Sequence, residues 1–344
     1  MSLPTHHEWW TTRRCLGASY GQKPGAKLRA TPARWRKAWG PALREKGRGA
    51  PWAGQARPLR EQGNGVRNIL TIDVEDWYLA HLEFFTDSPV PFDDPPDACV
   101  ITGVRKFLDL LEETRNTATF FVLGSVAKHF PDLVREIVGR GHEIASHGYL
   151  HRRLHHLSPD EFTHDLERSL EALNKAGAPK VSGYRAPCFS ITGRTLWALD
   201  VIKSCGLEYD SSIFPVRRRL YGIPDWPRQA MQYKNGLWEF PPATVRAMGM
   251  NLPVAGGGYL RMLPYSVVAA GIRNRTLSAP AVFYLHPYEL DPDSVIMRHR
   301  PKRQYSRLVA TLEQTGLRKN PHKIRRLLTE FSFGRIDQYL QGNR

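Results

Sequence analysis

From residue 68 onward, short dense apolar runs alternate with longer segments in which apolar positions recur every three or four residues. These are the signatures of strands and amphipathic helices in turn. Seven runs read as strands: "NILTID" (68–73), "ATFFVLG" (118–124), "HEIAS" (142–146), "KVSGYR" (180–185), "LEYDSS" (207–212), "LWEFPP" (237–242) and "AVFYLHP" (281–287). Helices are predicted at 102–114, 131–141, 158–177, 193–206 and 264–276, with two more after Ser306. The helix at 158–177 is the best marked: Ser158 is an N-cap, Pro159 takes the first position, Glu161 completes a capping box and Gly177 closes it. Strands alternating with helices, and no repeat of fixed period, predict an α/β protein. We expect a distorted (β/α) barrel of about seven parallel strands rather than an open doubly wound sheet.

Length and charge divide the chain further. Its 344 residues suffice for one barrel-sized catalytic domain, and no run of eighteen or more apolar residues suggests an integral membrane segment. The net charge of +16 is unevenly placed: residues 1–67 hold fourteen Lys or Arg against three acids, a net of +11. Residues 1–66 are rich in Gly, Pro, Arg and Trp and lack apolar periodicity. They are expected to form a basic, disordered leader ahead of a single domain at 67–344, whose C-terminal helical extension begins at about 290. With the basic excess concentrated in that leader, the folded part is not expected to bind nucleic acid. The leader has no apolar core of the kind a secretory signal needs, so a cytoplasmic location is expected. Cys15, Cys99, Cys188 and Cys205 show no disulfide or C-x-x-C spacing and should be reduced thiols. Nothing in the sequence indicates an oligomeric state.

Barrels of this kind collect their reactive groups at the carboxyl ends of the strands. Asp73, Glu75 and Asp76 follow the first strand in "TIDVEDW". Three carboxylates in four positions repel one another unless a cation or an arginine sits among them; the alternative is an acidic N-cap for the next helix. His147 and His151 follow "HEIAS" and, in a helical turn, would face the same way, the spacing by which two imidazoles reach one ion. Arg185 ends its strand within "GYRAPCF" and could pair with one of the acids. His286 ends "AVFYL" as either a structural residue or a general acid. Two imidazoles and a carboxylate leave room at a metal for water and substrate.

Assembled in this order, "TIDVED", "SHGYLH", "YRAPCF" and "YLHPYEL" resemble the motifs of the polysaccharide deacetylase family, metal-dependent carbohydrate esterases on a distorted barrel. The motifs span residues 71–290. "DVEDW", "GGGYLRMLP" (256–264) and "FSFG" (331–334) are similar to the subgroup associated with exosortase and exopolysaccharide loci. The resemblance implies Asp73 as general base, His147 and His151 as metal ligands, Arg185 as the tether of Asp73, and His286 as general acid. It also implies that the Cys188 backbone amide helps hold the oxyanion. The usual motif has two adjacent aspartates, but Val74 follows Asp73 here, so the metal carboxylate is Glu75 or Asp76. The implied cofactor is a divalent cation, Zn²⁺ first, with Ni²⁺, Co²⁺ and Mn²⁺ open. The implied substrate is an N-acetylated glycan, for which Trp77, Tyr184 and Phe189 are candidate stacking surfaces, with Trp238 and Tyr259 behind them. An allantoinase-like cyclic amide hydrolase and an inactive glycan-binding homologue are the competing readings.

Overall fold

Every residue of strand β1 (Asn68–Val74) is buried, as expected of a parallel strand covered on both faces. In the computed structural model, which describes residues 68–75, 77, 96, 98–293 and 315–342, this strand lies next to one end of the main sheet, one place in from the edge strand. The basic leader and Asp76 lie outside the described residues. On one side β1 pairs with β10 (Ala281–Leu285), and on the other with β2 (Thr119–Val122). The ladder continues through β3 (Glu143–Ser146), β4 (Gly183–Tyr184), β5 (Tyr209–Asp210) and β7 (Trp238–Glu239), parallel throughout. Each of the seven apolar runs therefore supplies one strand of a single parallel row. Strand β6 (Met231–Gln232) caps its far edge antiparallel to β7. Among the described residues no ladder joins β6 to β10, so the barrel is left unclosed.

Helices supply the cover. Helix α1 (Cys99–Glu113) turns Val100, Val104, Phe107, Leu108 and Leu111 inward, a stripe at the helical period. Helices α2 (Gly124–His129) and α3 (Pro131–Gly139) follow β2, and α4 (Pro159–Lys175) carries both halves of its capping box. Helix α5 is shorter than expected, Ala198–Ser204. The preceding turn is held differently: the Thr195 hydroxyl accepts from the Thr192 amide (2.8 Å) and donates to the Ser190 carbonyl (2.9 Å). Such local side-chain bonds compete with helix. A separate hairpin, β8 (Thr244–Ala247) with β9 (Met250–Pro253), precedes α6 (Gly257–Met262) and α7 (Tyr265–Thr276).

The two helices expected after Ser306 appear as a helix, a strand and a helix, with 306–314 outside the described residues. Helix α8 (Asn320–Glu330) leads into β11 (Phe333–Gly334), which pairs with the start of β1 before α9 (Ile336–Gln341) ends the described chain. The side chain of Asn116 fastens this return, donating to the Leu328 carbonyl (2.7 Å) and accepting from the Phe333 amide (2.8 Å). No disulfide joins the described cysteines Cys99, Cys188 and Cys205, and no described helix is long and apolar enough to cross a membrane.

Candidate active site

Side chains alternate along a strand, so Thr71 and Asp73 share one face of β1. Arg185, just beyond β4, reaches both: its Nη1 donates to Thr71 Oγ1 and to Asp73 Oδ1, each at 2.7 Å. The remaining donors of the same guanidinium go to Ser211, with Nε on its carbonyl (2.9 Å) and Nη2 on its hydroxyl (2.7 Å). The arginine is fully buried and its charge is met by a carboxylate and three further oxygens, which fixes both it and Asp73.

Glu75 follows β1 and meets two imidazoles. His147 Nε2 lies 3.1 Å from Glu75 Oε2, and His151 Nε2 lies 2.8 Å from the same oxygen. All three side chains are buried, and their ligand atoms lie within 4.8 Å of one another. The other ring nitrogen of His147, Nδ1, is 2.8 Å from the carbonyl oxygen of Arg185. A carbonyl only accepts, so Nδ1 carries hydrogen, and Nε2 is the ring atom presented to Glu75. Two ring nitrogens and a carboxylate oxygen gathered this closely could hold a metal ion, and an N, N, O donor set suits a divalent transition metal.

The two histidines do not meet through a helical turn. Residues 147–153 form an irregular loop, with His151 in the left-handed region at φ 57°. That conformation is unfavourable for a side chain with a Cβ and persists only where its surroundings hold it. Here the first amides of α2 do so: Gly124 N donates to the Gly148 carbonyl (2.9 Å) and Ser125 N to the Tyr149 carbonyl (3.1 Å). Asp165 on α4 accepts from the Tyr149 amide at 2.8 Å.

His286 completes the constellation, its Nε2 3.5 Å from Glu75 Oε1 and 4.0 Å from Asp73 Oδ2. Burial pushes its imidazolium down, but the carboxylate of Glu289, with Glu75 and Asp73, raises it to about 9. For Glu75, burial acts upward, yet the imidazoles of His151, His147 and His286 outweigh it and hold the carboxyl well below its usual range.

Residues 90–209 match the family model described as polysaccharide deacetylase. The chain thus carries a polysaccharide deacetylase domain over these residues. Residues 211–341 match a second model, a domain of unknown function. A peptidoglycan-N-acetylglucosamine deacetylase of Bacillus cereus is 34% identical over 132 residues, 35% of this chain and 47% of that protein. A chitooligosaccharide deacetylase of Rhizobium leguminosarum bv. trifolii is 38% identical over 125 residues, 36% of this chain and 47% of that protein. The matched stretch thus spans about half the length of these relatives. In fold, the chain matches a crystal structure described as a polysaccharide deacetylase, from Mycobacterium smegmatis, with a TM-score of 0.51 at 20% identity. That match covers 84% of this chain and 94% of the other.

The aromatic candidates differ in exposure, and three of them, Trp77, Tyr184 and Phe189, are buried. Tyr184 is 1% exposed and packs on Phe162 inside the core, so a sugar cannot stack on it. Trp77 is buried beside Leu317 and Tyr288, and Phe189 is buried among Phe214, Tyr221 and Tyr284. Trp238 lies half-buried on β7, while Tyr259 sits half-buried at the edge of the Phe189 cluster, its hydroxyl 3.3 Å from that of Tyr221. Cys188 has a left-handed backbone at φ 53°, in a tight turn after Pro187.

Several supporting groups carry no mark of their role in the sequence pattern. Thr71 was detectable, since it sits two residues before Asp73 and shares its face. Asp210 and Glu239 end β5 and β7; burial pushes both carboxyls up, and the pair sits behind Ser211–Ile213. Asp210 accepts from the Ser212 hydroxyl and amide, and Glu239 from the Ile213 amide at 2.9 Å. Glu289 accepts from the His286 amide (3.2 Å), with Oε1 3.6 Å from His286 Nδ1. It lies so close to Gly257 that a Cβ there would fall 1.5 Å from Oε1. The "GGG" of 256–258 therefore leaves space for the acid that backs His286.

Proposed function

We propose that this chain hydrolyses N-acetyl groups on an amino-sugar oligosaccharide or polysaccharide, releasing acetate and leaving a free amine. The observation that carries the reading is the placement of His286 between the two carboxylates: 3.5 Å from Glu75, which shares an oxygen with two imidazoles, and 4.0 Å from Asp73, anchored on Arg185. An amide hydrolase needs a base for water, an acid for the leaving nitrogen and a positive centre for the oxyanion. In this reading Asp73 takes the proton of the attacking water through the oxygen not committed to Arg185. His286, whose imidazolium persists to about pH 9, returns a proton to the departing amine. The Cys188 amide is assigned to the oxyanion, a role supported by its left-handed turn next to Arg185. Glu75, His147 and His151 would hold a divalent cation, Zn²⁺ before Ni²⁺, Co²⁺ or Mn²⁺, and Glu75 takes the role for which Asp76 was the alternative. When bound, the cation supplies charge to polarise the acetamide carbonyl and acidify water.

Substrate class rests on the relatives, named for deacetylation of peptidoglycan N-acetylglucosamine and of chitooligosaccharide. A role in exopolysaccharide synthesis is supported by "DVEDW", "GGGYLRMLP" and "FSFG" occurring in one chain. The test is acetate release from acetylated chitooligosaccharide and from peptidoglycan, with the chain stripped of metal and reloaded with each of the named ions in turn. Release that depends on the ion is expected. No acetate from either glycan with any of them would refute the assignment.

A further inference from the structure

The β8–β9 hairpin packs Val245 against the core but carries three other apolar residues outward. Met248 is 88% exposed at the turn, Met250 is 58% exposed and Leu252 is 38% exposed on the returning strand. The turn residues Met248 and Gly249 both have positive φ, 48° and 74°. Two-residue hairpin turns favour Asn, Asp or Gly at such positions, and a methionine there gains neither backbone ease nor packing. Contiguous exposed apolar side chains of this kind mark an interaction surface.

The charge beside the hairpin identifies the partner. Asn251 ties β9 to both ends of the neighbouring loop, its amide donating to the carbonyls of Pro215 (2.9 Å) and Pro224 (3.0 Å). That loop carries Arg217, Arg218 and Arg219, all exposed, and Arg246 on β8 is exposed as well. A second copy of this chain docking here about a twofold axis would bring like charge against like charge. An anionic bilayer satisfies both halves of the surface: guanidiniums pair with headgroup phosphates while methionines enter the acyl boundary.

We propose that the Met248–Leu252 hairpin edge and the Arg217–Arg219 loop form a docking surface for an anionic lipid bilayer. The same loop leads back to the active site. Arg218 donates to the Tyr259 hydroxyl and Tyr221 lies 3.3 Å from it, and both tyrosines pack on the cluster of Phe189, Phe214 and Tyr284, the last adjoining His286. A docked chain would therefore work on glycan presented close to a membrane.

The experiment is co-sedimentation of the full chain with vesicles of equimolar phosphatidylcholine and phosphatidylglycerol, against phosphatidylcholine alone. Binding to the anionic vesicles is expected, weakened at about 0.5 M salt. M248S/M250S leaves the net charge unchanged and should weaken binding about tenfold or more. R217Q/R218Q/R219Q should weaken it by at least as much. Both variants should keep the wild-type melting temperature, and M248S/M250S should keep wild-type acetate release from a soluble chitooligosaccharide, so that docking and chemistry are judged apart. Wild-type-strength binding by M248S/M250S would assign attraction to the basic leader and overturn the proposal. So would absence of binding to either vesicle, or a dimer in solution that the methionine substitutions dissolve.

Discussion

Two glutamates are buried at opposite ends of the parallel sheet, Glu75 beyond the carboxyl end of β1 and Glu143 at the amino end of β3. They are almost equally hidden, at 6% and 7% exposure. For Glu143, burial and the nearby carboxylate of Asp337 raise the carboxyl to about 7, although Thr119, Tyr209 and the Asp337 amide donate to it. Glu75 shifts the opposite way because its neighbours are imidazoles. Neutral hydroxyls and a peptide N–H satisfy a buried carboxylate's lone pairs without repaying its lost hydration; positive charge does both. One end of the sheet is thus built to be closed, and the other, on the function proposed here, to receive a cation.

The comparison breaks most severely if the cation end loses a ligand. His151→Ala should abolish retention of a divalent ion on dialysis, read by elemental analysis, and lower kcat/KM roughly a thousand-fold, as expected for a term of several kcal/mol. A variant that still retains stoichiometric metal would show that the Glu75, His147, His151 convergence is packing alone. Asp73→Asn should act differently. It keeps the bond to Arg185 and all three ligands, so metal content should match the wild type while kcat falls about 10²- to 10³-fold. If its turnover stayed normal, the base would have to be sought elsewhere.

The site's donors were legible as types because each follows an apolar strand, and a strand's end can be read from its own residues. His147, Arg185 and His286 each fall where a dense run stops. What the sequence hid was everything decided by distant chain. The loop that brings His147 to His151 depends on amides of α2, a helix beginning only two residues after β2 and so lost inside one apolar run. "FSFG" read as a signature, yet its role is to extend the sheet beside β1, more than 260 residues away in sequence. Tyr184 misleads for the same reason: an apolar ring looks alike in sequence whether it covers a groove or, as here, fills the core.

At the closed end, Glu143→Gln sharpens the contrast through pH. A carboxyl whose folded value stands above the ordinary 4.5 contributes its stability below that value, and loses it as pH rises through about 7. The wild type should therefore lose stability between about pH 5 and 8 through this group, by roughly 1–3 kcal/mol. Glutamine cannot ionise, so whatever constant cost the substitution carries, the difference from wild type should move in the variant's favour by that amount. Denaturant unfolding at the two pH values measures it. A difference independent of pH would mean that Glu143 is ionised in both states throughout, and that hydroxyls and amides suffice where we argue they do not.

A third buried glutamate gives the smallest effect and the finest test of the same idea. Glu289, 1% exposed, faces an imidazole as Glu75 does, but only one, and it stands behind His286 rather than among the converging ligands. Its carboxylate is the foremost of the groups raising His286, so Glu289→Gln should lower the pH at which the imidazolium is lost. Since an acid that has shed its proton cannot protonate a leaving amine, the alkaline limb of kcat against pH should move to lower pH. At pH 8 the loss of kcat should be about tenfold, and near pH 6 much smaller, with KM little changed. Glu289→Asp retains the charge on a shorter stem and should recover part of that limb. Equal losses by Gln and Asp at every pH would instead show that Glu289 only fills the hollow above Gly257, and the charge of this acid would have no part in the reaction.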